Sequence, residues 1–187
     1  SNGGHASAPS KGTPIARLSA FVNEVETHSP FRKKLLPEVS AMFTELAPYA
    51  GFGMKLVFGN VWLFGPVLKA VMPAISAQAG AMLKTTIAFT VQKGSDAYNV
   101  LPQEAYVGAN MRFIPHQGEK ESLEIIKKVA GKYGLETEVL HANDYTPPVD
   151  IHGEAFHLVE QTIADTFPGL PSSPYVMTGA TDAQFYQ

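Results

Sequence analysis

The sequence predicts an α+β fold in which two helices cover one face of an antiparallel sheet. Three observations lead to this prediction: a helical repeat of apolar residues from Pro14 to Glu26, two strand patterns around a turn over 86–113, and a second helical repeat over 122–133. A further strand pattern follows over 135–141. The order helix, strand, strand, helix, strand is a split β-α-β arrangement without its first strand. We therefore expect the missing strand just before Gly3.

Both helices follow from the spacing of apolar residues. Between Pro14 and Glu26 these fall at i, i+3, i+6, i+7 and i+10, after a loop that contains proline and glycine. Over 122–133 the apolar residues share one face, charged residues take the other, and Gly134 stops the helix. The two apolar stripes are expected to lie on the sheet.

The two strands are predicted from β-branched and alternating apolar residues. Residues 86–92 are rich in β-branched and aromatic types, and along 105–113 every second residue is apolar, so Arg112 points to the opposite face. Pro102 suits the entry to a strand, which leaves Asn99 in the loop. One hairpin then presents Asn99 from its loop and Arg112 from its far end. The alternative is a turn Asn and a solvated strand-end Arg.

The region from 29 to 83 is unusually apolar. Between Lys55 and Lys84 the only charged residue is Lys69. A transmembrane helix needs about 20 apolar residues, whereas glycines and prolines interrupt the uncharged runs here. A membrane span is therefore rejected, and short apolar helices are predicted instead. They must be covered in the core, in a subunit interface or as the wall of an apolar substrate cleft.

Composition and the last quarter of the chain add less. With 187 residues, 45% of them hydrophobic, the chain suffices for one or one and a half domains. A net charge of -3 without a basic run argues against binding of nucleic acid. The absence of Cys excludes thiolate metal sites but leaves the cellular compartment open.

In the last quarter of the chain, residues 143–150 are predicted as a linker, 154–167 as a helix and 174–177 as a short strand.

Three motifs in order carry a resemblance to a known family. They are Gly3-Gly4-His5-Ala6-Ser7-Ala8-Pro9, Asn99-Val100-Leu101-Pro102 with Arg112 thirteen residues after the Asn, and Gly179-Ala180-Thr181-Asp182. Together they resemble the co-catalytic zinc metallopeptidases that include glutamate carboxypeptidase, aminoacylase, succinyl-diaminopimelate desuccinylase and carboxypeptidase S. The resemblance runs from residue 3 to 187.

The resemblance implies a domain organisation. Residues 3–147 would form the ferredoxin-like lid, or dimerisation, domain, with 29–83 as an apolar helical insertion similar to that of carboxypeptidase S-like members. Residues 148–187 would be a fragment of the α/β catalytic domain. The family pattern further implies a homodimer formed through the lid and two zinc ions in the full-length enzyme.

No metal is expected in this chain itself. His152 and His157 are five residues apart and would diverge on a helix, unlike the i, i+4 pair that a metal needs. The chain also lacks the His-x-Asp and Glu-Glu pairs with which the family holds two zincs and a general base. The metal-binding half is therefore expected upstream of Gly3.

The resemblance also assigns site residues. His5 would reach into the site of the other subunit and donate a hydrogen bond to the scissile carbonyl oxygen, as in an oxyanion hole. Asn99 would help bind the carbonyl or substrate, while Arg112 and the amide of Gly179 would hold a substrate carboxylate. Asp182 would support the active-site loop. Gln184 departs from the family's usual Arg, which puts a second carboxylate contact in doubt.

These implications lead to a functional hypothesis. The chain would be the lid and part of the catalytic domain of a zinc-dependent carboxypeptidase or N-acyl amino acid hydrolase, inactive as a fragment, which cleaves an amide next to a free carboxylate. The pairing of Arg112 with the apolar insertion favours N-acyl amino acids or dipeptides with apolar groups. The alternative is a non-catalytic dimerisation or ligand-binding module of the same fold.

Overall fold

The computed structural model describes residues 3–143 and 147–179. The chain forms two compact units, each with its own core. Within the described residues, the first unit contains 3–31, 85–113 and 117–143, and the second contains 32–84, 114–116 and 147–179.

Helices and two small antiparallel ladders alternate along the chain, so the predicted α+β class is confirmed. Besides a short 3-10 turn, the elements are β1 (Gly4–His5), α1 (Pro14–Thr27), α2 (Pro37–Leu46), α3 (Phe52–Phe58), α4 (Val61–Ile75), α5 (Ala77–Ala81), β2 (Thr86–Lys93), β3 (Val100–Leu101), β4 (Tyr106–Arg112), α6 (Glu119–Lys132) and α7 (Glu154–Thr166). The three helices predicted from periodicity are confirmed. Helix α6 begins earlier than predicted, with Glu119 and Glu121 in its first turn, where carboxylates suit the helix dipole.

The first unit is built on the pairing of β2 with β4. Thr86 lies opposite Arg112 and Lys93 lies opposite Tyr106, with an irregularity between Phe89 and Val91. Helices α1 and α6 pack on one face of this ladder, as predicted from their apolar stripes. Their shared cluster contains the buried Phe21, Val25, Ile126 and Val129 and the partly buried Ile87, Phe89, Val107 and Met111.

A buried polar network joins the start of β2 to the start of α6. The hydroxyl of Thr85 donates to the carbonyl oxygen of Gln117 at 3.0 Å. The Ser122 hydroxyl lies 2.9 Å from that same oxygen and 3.3 Å from the Thr85 hydroxyl. All three residues are at most 1% exposed. Because each buried hydroxyl has a partner, the network costs little desolvation energy and fixes the position of α6 on the ladder.

Two predicted strands are not formed. Residues 135–139 and 174–177 are irregular in the structure. The stretch predicted as a strand over 135–141 has the side-chain alternation of one, and 174–177 is a short apolar run, but a strand is stable only where a neighbour takes its backbone hydrogen bonds. The ladders among the described residues are β1 with β3 and β2 with β4, and neither stretch takes part in them. The predicted linker is also irregular where it is described.

The second unit contains most of the apolar region 29–83, and the short helices predicted there are confirmed as α2 to α5. Its core cluster is apolar throughout and consists of Leu36, Val39, Val61, Leu68, Met72, Met82, Leu83 and Ile114. Pro66 and Pro73 lie inside α4, and each removes one backbone donor from the helix. In the described ranges, no single helix is long and apolar enough to cross a membrane; α3 and α4 pass that test only as a pair, bent by 107°.

Candidate functional site

The first of the predicted site residues, His5, is held against the loop that contains Asn99. His5 pairs with Val100 in the ladder of β1 with β3, and the amide of Ala6 donates to the carbonyl oxygen of Asn99 at 2.9 Å. The structure therefore brings together two motifs that lie far apart in the sequence. Asn99 is in a turn, as predicted, and it is exposed.

Two glycines allow this close approach. Gly3 and Gly4 have φ values of 67° and 143°, a region of backbone space that L side chains rarely adopt. At Gly3 a Cβ would also lie 2.8 Å from the Cγ of Gln103. Any larger residue at Gly3 would therefore push the His5 segment away from the loop.

Ser7 determines which ring nitrogen of His5 can donate. The backbone amide of Ser7 donates to Nδ1 of His5 at 3.2 Å, and the Ser7 hydroxyl lies 2.8 Å from the same atom. Since Nδ1 accepts a backbone hydrogen bond, the proton of the neutral ring is on Nε2. The exposed His5 thus has a directed Nε2–H donor. Sequence analysis missed this role of Ser7, although its position two residues after His5 is the signal.

Arg112 is not brought to His5 within one chain. It is the last residue of β4 and is exposed, on the strand face opposite that of the partly buried Met111. From Tyr106, next to the loop, to Arg112 the strand extends about 20 Å at roughly 3.4 Å per residue. The prediction that the hairpin presents Asn99 and Arg112 at separate ends agrees with this geometry.

A shallow depression lies beside the β1–β3 ladder. It has a volume of about 300 Å³ and is lined by Gly3, Gly4, 94–96 and 100–104. Gly94 is tightly placed, because a Cβ there would lie 2.7 Å from Cδ1 of Ile15. The depression shows that the turn after β2 lies close to the His5 segment. This turn is at the end of the β2–β4 ladder opposite Arg112.

The remaining candidate residues belong to the second unit or lie outside the described residues. Gly179 is exposed, and a Cβ there would meet only the Cε of Met177, at 3.9 Å. Asp182 and Gln184 lie outside the described residues, as does most of the third motif.

The described residues do not fit a zinc site. Over 3–143 and 147–179, no group of three or more His, Asp or Glu side chains is placed to hold a metal ion. His157 is instead paired with Glu160 on the surface of α7 at 3.1 Å, and the amide of His152 donates to the carboxylate of Asp150. These histidines serve local structure.

Comparison with known proteins places the chain in a family. The model of the Peptidase dimerisation domain matches residues 1–138. The chain is 32% identical, over 98% of its length, to the human protein "N-fatty-acyl-amino acid synthase/hydrolase PM20D1" and 30% identical, over 98%, to the Xenopus tropicalis protein of that name. It is 25% identical, over 98%, to "Probable carboxypeptidase S-like 2" of Dictyostelium discoideum.

The chain spans about a third of these curated relatives, namely 37%, 36% and 35% of their lengths. No solved structure matches it. The matched region includes His5, Asn99 and Arg112 in the order in which the sequence presents them. The chain belongs to the peptidase dimerisation domain family of the M20 peptidases.

Proposed function

We propose that this chain is the lid of a zinc-dependent amide hydrolase that acts on N-acyl amino acids or small peptides with a free carboxylate. In this proposal residues 3–147 form the lid, 29–83 are its insertion, and 148–187 belong to the catalytic domain. The family match to residues 1–138 supports the lid assignment. Relatives with names of acyl-amino acid hydrolases and a carboxypeptidase support the reaction class.

The lid is proposed to have the ferredoxin-like fold of the family. Helices α1 and α6 on one face of the β2–β4 ladder supply four of its elements in the required order. The other strands would come from chain segments that pair with this ladder. Among the described residues β2 pairs only with β4, so both outer edges of the ladder can accept a strand.

The donor geometry of His5 is the observation that carries the proposed chemistry. An amide carbonyl gains negative charge on its oxygen as the bond is attacked, and a fixed donor stabilises that charge. Ser7 holds Nδ1 of His5 as an acceptor, which leaves Nε2–H to donate. A ring fixed in this way needs no reorganisation when the charge develops. Asn99, next to His5, is proposed to contact the same substrate.

Arg112 is proposed to bind the substrate carboxylate through its planar, two-pronged guanidinium. Because Arg112 is at the far end of β4 from His5, one chain cannot supply both groups to one small substrate. A homodimer solves this if His5 comes from one subunit and Arg112 from the other. The dimerisation-domain family and the open edges of the ladder support such an assembly.

The C-terminal segment is proposed to be part of the catalytic domain, with Gly179 near the substrate. Helix α7 is amphipathic but has no buried residue, and Leu158 and Val159 are exposed on it. An apolar helix face of this kind requires a covering layer, which the rest of a catalytic domain would supply. The zinc dependence is proposed to belong to that domain, because the His-x-Asp and Glu-Glu pairs with which the family holds zinc do not occur in this sequence.

A subunit-mixing experiment with the full-length enzyme tests the shared site. We expect His5→Ala to lower kcat by about 100-fold or more and Arg112→Ala to raise KM for carboxylate substrates while leaving their amide analogues unaffected. If His5 acts in trans, mixing and reassembling the two variants, assayed at a substrate concentration far below the raised KM, should restore about a quarter of the wild-type activity, because half of the dimers are mixed and each has one complete site.

Two outcomes would contradict the proposal. Zero recovery in mixed dimers would place both residues in one subunit's site. Unchanged activity of His5→Ala, with Lys127→Gln on the exposed face of α6 as the matched control, would remove His5 from the chemistry altogether.

A further inference from the structure

The bent pair of helices α3 and α4 has an apolar outer face. Phe52 is 89% exposed and Trp62 is 82% exposed. The other exposed apolar residues of the pair are Met54, Leu56, Leu63, Val67, Val71 and Ile75. Large aromatic side chains in contact with water are costly, so an apolar face of this extent indicates a contact surface.

The inner face of the same pair fixes its position on the second unit. Val61, Leu68 and Met72 of α4 are buried in the core cluster. Leu63, Val67 and Val71, four residues apart, form a stripe on the other side of α4. The outer face of α4 therefore lies over the core of the second unit, whereas α3 contacts that core only through the partly buried Val57 and Phe58.

The charged residues of α3 and α4 themselves are of one sign. Lys55 and Lys69 are the charged residues of α3 and α4, and residues 46 to 95 contain no Asp or Glu. Lys55 is exposed and Lys69 is half-buried. An apolar face whose own helices carry cations and no carboxylate complements the surface of an anionic bilayer, in which hydrocarbon lies beneath a layer of phosphate groups.

The bend between α3 and α4 allows both helices to lie along the surface of a bilayer. Asn60 ends α3 by donating from its side chain to the carbonyl oxygen of Leu56 at 2.8 Å, and its own carbonyl accepts from Leu63 and Phe64 at the start of α4. The two helices thus turn by 107° at this residue. Each helix is shorter than the roughly 20 residues that a membrane span requires. Helices of this shorter length can lie in the plane of the membrane interface.

We propose that the outer face of α3 and α4 docks on an anionic phospholipid bilayer. Phe52 and Trp62 enter the boundary between headgroups and acyl chains, and Lys55 and Lys69 contact lipid phosphates. A second copy of the chain is a poorer occupant, because a twofold contact would bring Lys55 and Lys69 of both copies together, and α3 and α4 carry no carboxylate to pair them. The inference is independent of the proposed hydrolysis, and its test requires no enzyme activity.

The chain provides its own probe, since Trp62 is the only tryptophan. The full chain is titrated with vesicles of phosphatidylcholine alone and with vesicles that contain about 30% phosphatidylserine. We expect a blue shift of Trp62 emission with the anionic vesicles. Lipids brominated on the acyl chain should quench that emission, because bromine quenches only an indole in contact with it. Added salt should weaken the binding to anionic vesicles.

Matched variants identify the docking face. Phe52→Ser is expected to weaken vesicle binding about tenfold through the lost apolar area, and Lys55→Gln with Lys69→Gln about tenfold through the lost charges. Tyr98→Ser removes an equally exposed aromatic residue from the first unit, and Lys127→Gln with Lys128→Gln removes two exposed charges from α6. These control variants should bind like the wild type.

Three results would overturn the proposal. The first is the absence of a Trp62 shift and of quenching with either vesicle. The second is equal binding to neutral and anionic vesicles. The third is a wild-type dimer that ignores vesicles and dissociates on Phe52→Ser, which would make the face a subunit interface. Circular dichroism of each variant verifies that the surface substitutions leave the fold unchanged.

Discussion

The two units of the chain differ in where they place their apolar residues. In the first unit, α1, α6 and the β2–β4 ladder turn their apolar sides toward one another around Phe21 and Val25. In the second unit, α4 buries one side and exposes the other, and α7 has no fully buried residue. The first unit thus buries the apolar sides of both its helices against its own ladder, whereas the second has apolar helix surface beyond what its own folding uses. That surplus indicates contact with something outside the described chain.

Polar residues show the same difference. The polar side chains that are fully buried among the described residues, Thr85, Gln117 and Ser122, all belong to the first unit. A buried network of this kind favours one arrangement of the elements, because any other leaves a hydroxyl without a partner. The core cluster of the second unit relies on apolar packing alone.

The largest expected effect comes from a matched pair of phenylalanines. Phe21→Ala should lower the free energy of unfolding by about 3–5 kcal/mol, because Phe21 is buried and meets Phe89 edge to face. Phe52→Ala should change it by less than about 0.5 kcal/mol, because the ring is exposed. Denaturant unfolding of both variants measures the difference. Equal losses would show that the outer face of the second unit is part of its core.

A smaller effect is expected for the buried polar network. Ser122→Ala should cost about 1–3 kcal/mol, because it removes a hydrogen bond from a site without water. Ser19→Ala, on the exposed face of α1, serves as the control and should be neutral or slightly stabilising. Denaturant unfolding checks both values. A Ser122 variant as stable as the control would mean that apolar packing alone positions α6.

The smallest effect concerns the polar contact between α1 and α6. The Tyr133 hydroxyl donates to Glu24, and Lys132 lies 2.9 Å from the other oxygen of that carboxylate. The Tyr133 hydrogen bond, and then Lys132, hold the pKa of Glu24 below its ordinary value of 4.5, while Glu24 raises the pKa of Tyr133 above 10.0. The contact of Glu24 with Tyr133 and Lys132 therefore stabilises the fold at pH values between the lowered pKa of Glu24 and the raised pKa of Tyr133.

We expect Glu24→Gln to lower the Tm by about 2 °C at neutral pH. The difference from wild type should vanish as the pH falls through the depressed pKa of Glu24, because a protonated carboxyl loses its advantage there. The difference in Tm between wild type and the Glu24→Gln variant should also shrink as the pH rises through the raised pKa of Tyr133. Thermal unfolding across pH measures this, with exposed Glu26→Gln as control. A difference that is constant with pH would argue against the ionised contact.

Much of the first unit could be predicted from the sequence, because its elements carry strong local periodicity. The apolar repeats of α1 and α6 and the alternation along β4 are set by which side chains must share a face. Residues 135–139 show the limit of this reasoning, since their alternation is that of a strand but no neighbour among the described residues pairs with them.

The candidate site was predicted as a set of residues with only part of its arrangement, namely Asn99 and Arg112 at opposite ends of one hairpin. The motifs point to His5, Asn99 and Arg112, but they do not say that His5 lies beside Asn99 and at the other end of the hairpin from Arg112. That arrangement depends on backbone pairing between segments far apart in the chain, which local pattern does not contain. The contact of Ser7 with His5 is local and could have been predicted.

By itself, the sequence determined the family motifs, the helices with periodic apolar faces and the apolar character of the insertion, because each depends on residues close in the chain. Only the tertiary structure decided which side of α4 is buried, which glycines carry positive φ at the His5 segment and which hydroxyls satisfy one another around Gln117. These features depend on which segments, distant in the sequence, come into contact with one another. Those contacts form only when the whole chain packs.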